Sequence, residues 1–330
     1  MARGFGTSLA VPQAALAPSG AELAFEPAGW RHLCAWLNKV QALPLADDAR
    51  PPEVAATLGA LMRLAGGFGG PAQLKAARGS ATMPAHAWPG FVWLTAQLQA
   101  LAQETHALLV VLGAPASAPQ RRRQALERLG ELAATARDLG SPLLPRLEEF
   151  RAAILREHDA FAEALRALGS TLQGRWEAVG AQDARLQHLQ AQLKATSALH
   201  PGRRKELAAA IGAAEEDLTA LSGAAETLRL QTAALQAIGD EGVWLDASLG
   251  ALIDFLHRLR AAWAGFGSSV TQLGADADAA QLETPDWIGA QLMLDEALPR
   301  WQALIDVSAR FQANPGALPA VTQQAQKVGL

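Results

Sequence analysis

The sequence predicts an all-α protein, an elongated helical bundle carrying a long antiparallel coiled-coil hairpin, and three observations carry that prediction. The chain of 330 residues is half apolar, but alanine and leucine dominate that half while aromatics make up only 5% and tyrosine is absent. That is helix composition, because straight-chain residues and alanine lose little freedom in a helix and β-branched runs are missing. Apolar residues recur at intervals of three, four and seven over most of the length, and two stretches keep a seven-residue repeat far beyond an ordinary globular helix.

The elements follow in order. Residues 1–24 are rich in Gly, Pro, Ser and Ala without periodicity and read as a flexible leader. A first helix opens at Pro27, where a missing amide proton costs nothing, with Trp30, Leu33, Leu37 and Val40 on one face. Pro51 and Pro52 introduce a shorter helix bearing Val54, Leu58, Leu61 and Met62, stopped by the glycine cluster Gly66 to Gly70. A patternless loop then runs to Pro89. Leu94, Leu98, Leu101, Leu108 and Leu112 mark the next helix. Gln120 to Leu139 forms another, setting Leu126, Leu129, Leu132 and Ala136 against Arg121, Arg122 and Arg123.

From Ser141 the pattern changes. Leu147, Ile154, Phe161 and Leu168 recur every seven residues, and Leu165, Leu172, Val179, Leu186 and Leu193 form a second series. With no proline after Pro145, this predicts one helix of about 55 residues, roughly 80 Å long. A second seam begins after His200-Pro201-Gly202: Leu207, Ile211, Leu218, Leu221, Leu228 and Leu235, then Ile238, Leu245, Leu252, Leu259, Phe266 and Leu273. So few residues separate the two that they fold back as a hairpin. A bend is expected near Gly239 to Gly242, since glycine weakens a helix by up to about 1 kcal/mol relative to alanine. Thr284-Pro285-Asp286 supplies a cap, a proline at the first helical position and an early acid for a last helix through Phe311, with Pro299 as a kink site. The predicted organisation is therefore a leader at 1–24, bundle helices at 25–140 and 274–312, a hairpin at 141–273 with its tip at 200–205, and a tail at 313–330.

Chemistry is sparse. A net charge of −4 leaves no basic excess to neutralise a run of phosphates, so nucleic acid is not an expected partner. The single cysteine, Cys34, allows no internal disulfide and reads as a small buried thiol. Asp254 and His257 share a helix face, yet the seam already occupies the inward side, so no metal is expected there. Glu157, His158 and Asp159 are adjacent and cannot converge. The glycine cluster lacks the Lys-Ser/Thr and the preceding strand of a phosphate loop. No catalytic residue, cofactor site or metal site is predicted. Trp244, Trp263, Trp287 and Trp301 are expected in the core. No stretch reaches the ~20 apolar residues of a membrane span, and Met1 to Gly20 lacks the run of a cleaved signal.

One cluster remains. His200, Pro201, Gly202, Arg203, Arg204 and Lys205 place three cations and a histidine at the turn between the long helices. Such a group reads either as a solvated turn whose basic residues start the next helix or as an attractor of anionic headgroups or of an acidic partner surface. The run Ala208 to Ala225 is rich in alanine and glycine, which suits close helix packing in a ring or in a plain coiled coil.

Several helices of ordinary length, two very long ones and a Trp-bearing final helix resemble, over roughly Trp30 to Phe311, the α-helical pore-forming toxins of the cytolysin A superfamily. More narrowly they resemble the B-type subunit of the xenorhabdolysin-type binary toxins. The resemblance implies a soluble, secreted or released monomer that joins a second helical toxin subunit and copies of itself on a target-cell membrane, inserts as an oligomeric ring, and acts as a cytolysin with hemolysis and virulence as consequences. It carries no catalytic residues. Many members bear a strongly hydrophobic tongue, whereas the turn here is short and basic. A non-enzymatic coiled-coil scaffold or adaptor is the alternative that the same seams allow.

Overall fold

A computed structural model describes residues 6–41, 59, 82–84 and 86–313. The expected helix at Pro51 to Met62, the glycine cluster at Gly66 to Gly70 and the tail beyond Ala313 lie outside those residues, but for Gly59. Among the described residues every regular element is helical: α1 (Ala10–Ala15), α2 (Arg31–Gln41), α3 (Ala87–Gly113), α4 (Pro119–Arg137), α5 (Leu143–Ala195), α6 (Pro201–Asp276), α7 (Ala279–Glu283), α8 (Pro285–Leu292) and α9 (Leu294–Ala313). Among these residues the one extended pairing is a bridge between Leu16 and Leu23. The chain divides into two compact units. Of the described residues, the first holds those of 6–41, 82–155 and 243–313, and the second holds Gly59 and 156–242.

The first unit is a bundle organised on aromatic rings from distant parts of the chain. Phe25 lies 5.3 Å from Phe91 of α3, 4.8 Å from Phe255 of α6 and 5.3 Å from Phe311 of α9, centroid to centroid. Trp301 closes a second cluster with Trp263 and Phe266 at 5.6 and 5.8 Å. Edge and tilted contacts of this kind add about 0.5–1.5 kcal/mol each beyond area burial. The segment read as a loose leader is part of this core. Val11, Ala15, Leu23 and Phe25 are fully buried, the Trp301 indole donates to the Ser8 carbonyl at 3.0 Å, and the Ser8 hydroxyl donates to Leu292 O. Lack of periodicity reflects a short helix and an irregular turn, not lack of packing.

Other boundaries shift for local reasons. A π-helical turn at Glu26–Trp30 leads into α2, whereas the sequence predicts a plain start at Pro27. α3 begins at Ala87 and takes Pro89 into its first turn, where no amide is needed. Gly90 there faces Leu143 so closely that a Cβ would sit 2.5 Å from its methyl. The polar connection after α6 contains α7, held by a reciprocal capping box between Asp278 and Gln281. Thr284 occupies the N-cap of α8 without a side-chain cap bond; its hydroxyl donates to Ala280 O at 3.1 Å instead. The last helix breaks at Met293, which takes a left-handed conformation (φ 49°), and α9 continues through Pro299.

Among the described residues, Gly59 apart, the second unit is the turn-bearing part of α5 and α6. Phe161, Leu168 and Leu186 are buried on α5, and Leu207, Ala214, Ala225, Leu228, Leu235 and Ile238 on α6. On α5 the first heptad series is thus buried, while in the second series Leu186 is buried and Leu165, Leu172, Val179 and Leu193 are only half-buried. Two helices alone cannot enclose flanking positions as a bundle does. Leu221, predicted inward, is 37% exposed. α6 is assigned as one continuous helix through Gly239 to Gly242, and Gly239 seats the Phe161 ring, where a Cβ would meet Cε1 at 2.5 Å.

Candidate functional site

The turn between the long helices is built from the ends of both. α5 stops at Ala195, five residues make the turn, and α6 opens at Pro201, whose absent amide proton would have lacked a partner at a first helical position. The His200 amide donates to Ser197 O at 3.1 Å, and the Leu199 amide donates to Ser197 Oγ at 3.3 Å. His200, Pro201, Gly202, Arg203, Arg204 and Lys205 are therefore together, all exposed, with the last five forming the first helical turn.

Their electrostatic roles divide. Arg204 Nη1 donates to Thr196 O at 2.8 Å and to Leu193 O at 3.4 Å, so its guanidinium caps the carbonyl end of α5, where a cation is favoured. Arg203 and Lys205 have no ion pair or hydrogen bond among the described residues. Both lie in the first turn of α6, which contains no acidic residue. Helix N-termini carry partial positive charge, so uncompensated cations there cost rather than stabilise, by a few tenths of a kcal/mol each at an exposed site. The arrangement concentrates positive charge at a place where helix formation alone would select against it.

Sequence reasoning missed two residues. Leu199, inside the turn, is 86% exposed, the most exposed large apolar side chain described. Its signal was phase: it falls outside both heptad series of α5, the second of which ends at Leu193. Trp244, expected in the core, is 64% exposed, because the seam of α6 is taken by Leu245 and Leu249. Trp263 and Trp301 are buried as predicted, and Trp287 is half-buried. Within Ala208 to Ala225 only Ala214 and Ala225 close the seam, while Gly212 and Gly223 face open space.

Elsewhere the chemistry is structural. Arg122, read as part of a polar face, is 1% exposed. Nη1 donates to Leu282 O at 2.7 Å, and Nη2 donates to Ala114 O at 2.7 Å and Pro115 O at 3.4 Å. Its guanidinium thus caps the carbonyl ends of α3 and α7. The helical phase of Arg122, Leu126, Leu129 and Ala133 was the available signal. Asp246 and Arg151 form a two-bonded pair at 2.5 and 2.9 Å, and the guanidinium holds the Asp246 carboxyl below its ordinary range. Cys34 is buried, and loss of water pushes its thiol up to about 12. Asp254 and His257 are exposed. Among the described residues no three metal-ligating side chains gather, and no helix is long and apolar enough to cross a membrane.

No protein-family model and no curated protein sequence matches the chain. Solved structures do. The chain is similar to the SmhB pore of the tripartite alpha-pore forming toxin Smh from Serratia marcescens, with a TM-score of 0.62 at 11% identity over 93% of this chain and 99% of that one. It is also similar to AhlB of the tripartite toxin AHL from Aeromonas hydrophila. The pre-pore form gives a TM-score of 0.63 at 13% identity, covering 94% of this chain and 99% of that chain. The pore form gives 0.60 at 12% identity, covering 95% and 99%. The fold is therefore one that tripartite alpha-pore-forming toxin components adopt. The family resemblance read from the sequence named a two-component system, while these structures come from three-component ones.

Proposed function

We propose that this protein is a component of a multi-subunit α-helical pore-forming toxin, a cytolysin that assembles with partner helical subunits and with copies of itself on a target-cell membrane. The observation that carries the reading is the match in fold over more than nine-tenths of the chain to SmhB and AhlB in pore and pre-pore forms. Its role is non-enzymatic, its partners are encoded nearby, and it leaves the producing cell as a soluble monomer before reaching the target membrane. A three-component system fits the matched structures better than the two-component one that the sequence implied.

The turn at His200 to Lys205 is its membrane- or partner-proximal end. The unpaired cations Arg203 and Lys205 and the exposed Leu199 support this assignment: cations add about 1 kcal/mol each near an anionic surface, and one leucine adds apolar area without a spanning segment. The contact is interfacial, and crossing requires the partner subunits.

Dye release from vesicles containing anionic lipid tests the reading, with the purified chain alone and with its neighbouring gene products. Leakage with the full set, little with this chain alone, and rings in negative stain are expected. No leakage and no lysis of cells in any combination, with all proteins folded, overturns it. Reversing the two cations, Arg203→Glu with Lys205→Glu, is expected to lower vesicle binding about tenfold; unchanged binding removes the tip from the mechanism.

A further inference from the structure

Three features lie outside the proposed function: the buried Arg122 cap, the exposed Trp244, and an open groove in the first unit. Both Nη atoms of Arg122 are held by structural carbonyls, only Nε lacking a partner among the described residues, and Trp244 is an exposed ring. The groove carries further. It has a volume of about 760 Å³ and lies where α3 ends beside the junction of α8 and α9. Val110, Met293 and Leu298 give it apolar walls, and Val110 is 44% exposed. The left-handed Met293 turns the chain between α8 and α9, which fixes the groove's shape in backbone. Asp286, Asp295 and Glu296 also line it. Each stands in the first turn of its helix, which suits the helix dipoles, but none has an ion pair among the described residues.

A groove of mixed lining, with apolar walls and three unpaired carboxylates at its edge, fits a short segment with one exposed apolar side chain flanked by cations. The same molecule presents such a segment: Leu199, the most exposed large apolar residue, followed by His200, Arg203 and Lys205, with Glu206 the nearest opposing charge. A leucine side chain fits easily in the volume available. We infer that the groove of one copy docks the α5–α6 turn of a second copy, Leu199 entering between Val110 and Met293 and the cations facing Asp286, Asp295 and Glu296. The contact joins unlike surfaces, so it propagates into chains as concentration rises rather than stopping at a symmetric dimer. It does not depend on the toxin reading. It does give that reading a storage form, in which anionic lipid competes with the groove for the same cations.

Charge exchange provides the test. In sedimentation velocity at low salt, the purified full-length chain is expected to show a weight-average sedimentation coefficient that rises with concentration and falls back as salt is added. Reversal of the groove (Asp295→Lys with Glu296→Lys) or of the turn (Arg203→Glu with Lys205→Glu) is expected to weaken association about tenfold each, and an equimolar mixture of the two to recover it. Recovery in the mixture also shows that both variants are folded. Leu199→Ser is expected to weaken association without altering its salt dependence. A wild-type chain that stays monomeric throughout overturns the inference. So does association that survives either reversal, or a mixture no better than its parts.

Discussion

Arg122 shows how one side chain can be misjudged by its neighbours. It stands between two other arginines, yet it alone is turned inward, and its guanidinium is accepted into the bundle because three carbonyls receive it. Replacing it with methionine keeps much of the volume and strands those carbonyls. Since hydrogen bonds to a charged group contribute about 1.5–3 kcal/mol, Arg122→Met is expected to destabilise by about 2–4 kcal/mol in urea unfolding, with Arg121→Met near neutral. Cys34 yields a pH prediction. Burial keeps the native thiol protonated to about 12 against an ordinary 9.0, so unfolding releases a proton in between. This contribution to stability is complete below pH 9 and is lost as pH rises towards 12, a decline that Cys34→Ala is expected to flatten. Thiol reagents should label Cys34 at least about tenfold faster in denaturant than in the native protein.

At the scale of elements, the hairpin seam and its glycines are the informative cases. Gly239 and Gly169 lie in helices α6 and α5, and helix propensity alone favours alanine at both by up to about 1 kcal/mol. Space separates them: nothing lies within 4 Å of a Cβ at Gly169, whereas at Gly239 it would strike Phe161. Gly169→Ala is therefore expected to raise the midpoint of thermal unfolding and Gly239→Ala to lower it. The seam makes a parallel distinction between leucines of equal heptad rank. Leu228 is buried and Leu221 is not. Leu228→Ala should cost about 2–3 kcal/mol and Leu221→Ala under about 1 kcal/mol by denaturant unfolding. Arg204 adds a local test, because its cap on α5 is absent from Arg203: Arg204→Ala should fray the last turn of α5 in amide exchange, and Arg203→Ala should not.

On the scale of the whole molecule, the two units are held by different means. The first buries Trp263, Trp301, Phe25, Phe91, Phe255 and Phe266 almost completely. Among the described residues the second has a leucine- and alanine-based seam between two helices, with flanking positions half-open to water. Amide exchange is expected to follow that contrast, with the slowest amides near Leu249 to Val270 and Leu94 to Leu112, and faster exchange through Leu172 to Leu193. Comparable protection in both segments would show that something beyond the two-helix seam stabilises the hairpin.

Periodicity made the helical class, the two long helices, their turn and the cationic cluster legible, because the heptad repeat is a direct image of a helix that buries one stripe. Composition and turn chemistry located most helix ends to within a few residues. What stayed hidden depends on groups far apart in sequence. Phe25 is a core residue only because Phe91, Phe255 and Phe311 converge on it, and Arg122 is buried only because Leu282 O and Ala114 O arrive together. Gly239 is a socket because Phe161 comes to meet it. The groove at Met293 exists because α3 ends beside a left-handed turn. Local pattern records which face of a helix avoids water; only the packed structure decides which element covers that face, and which face is left open to a partner.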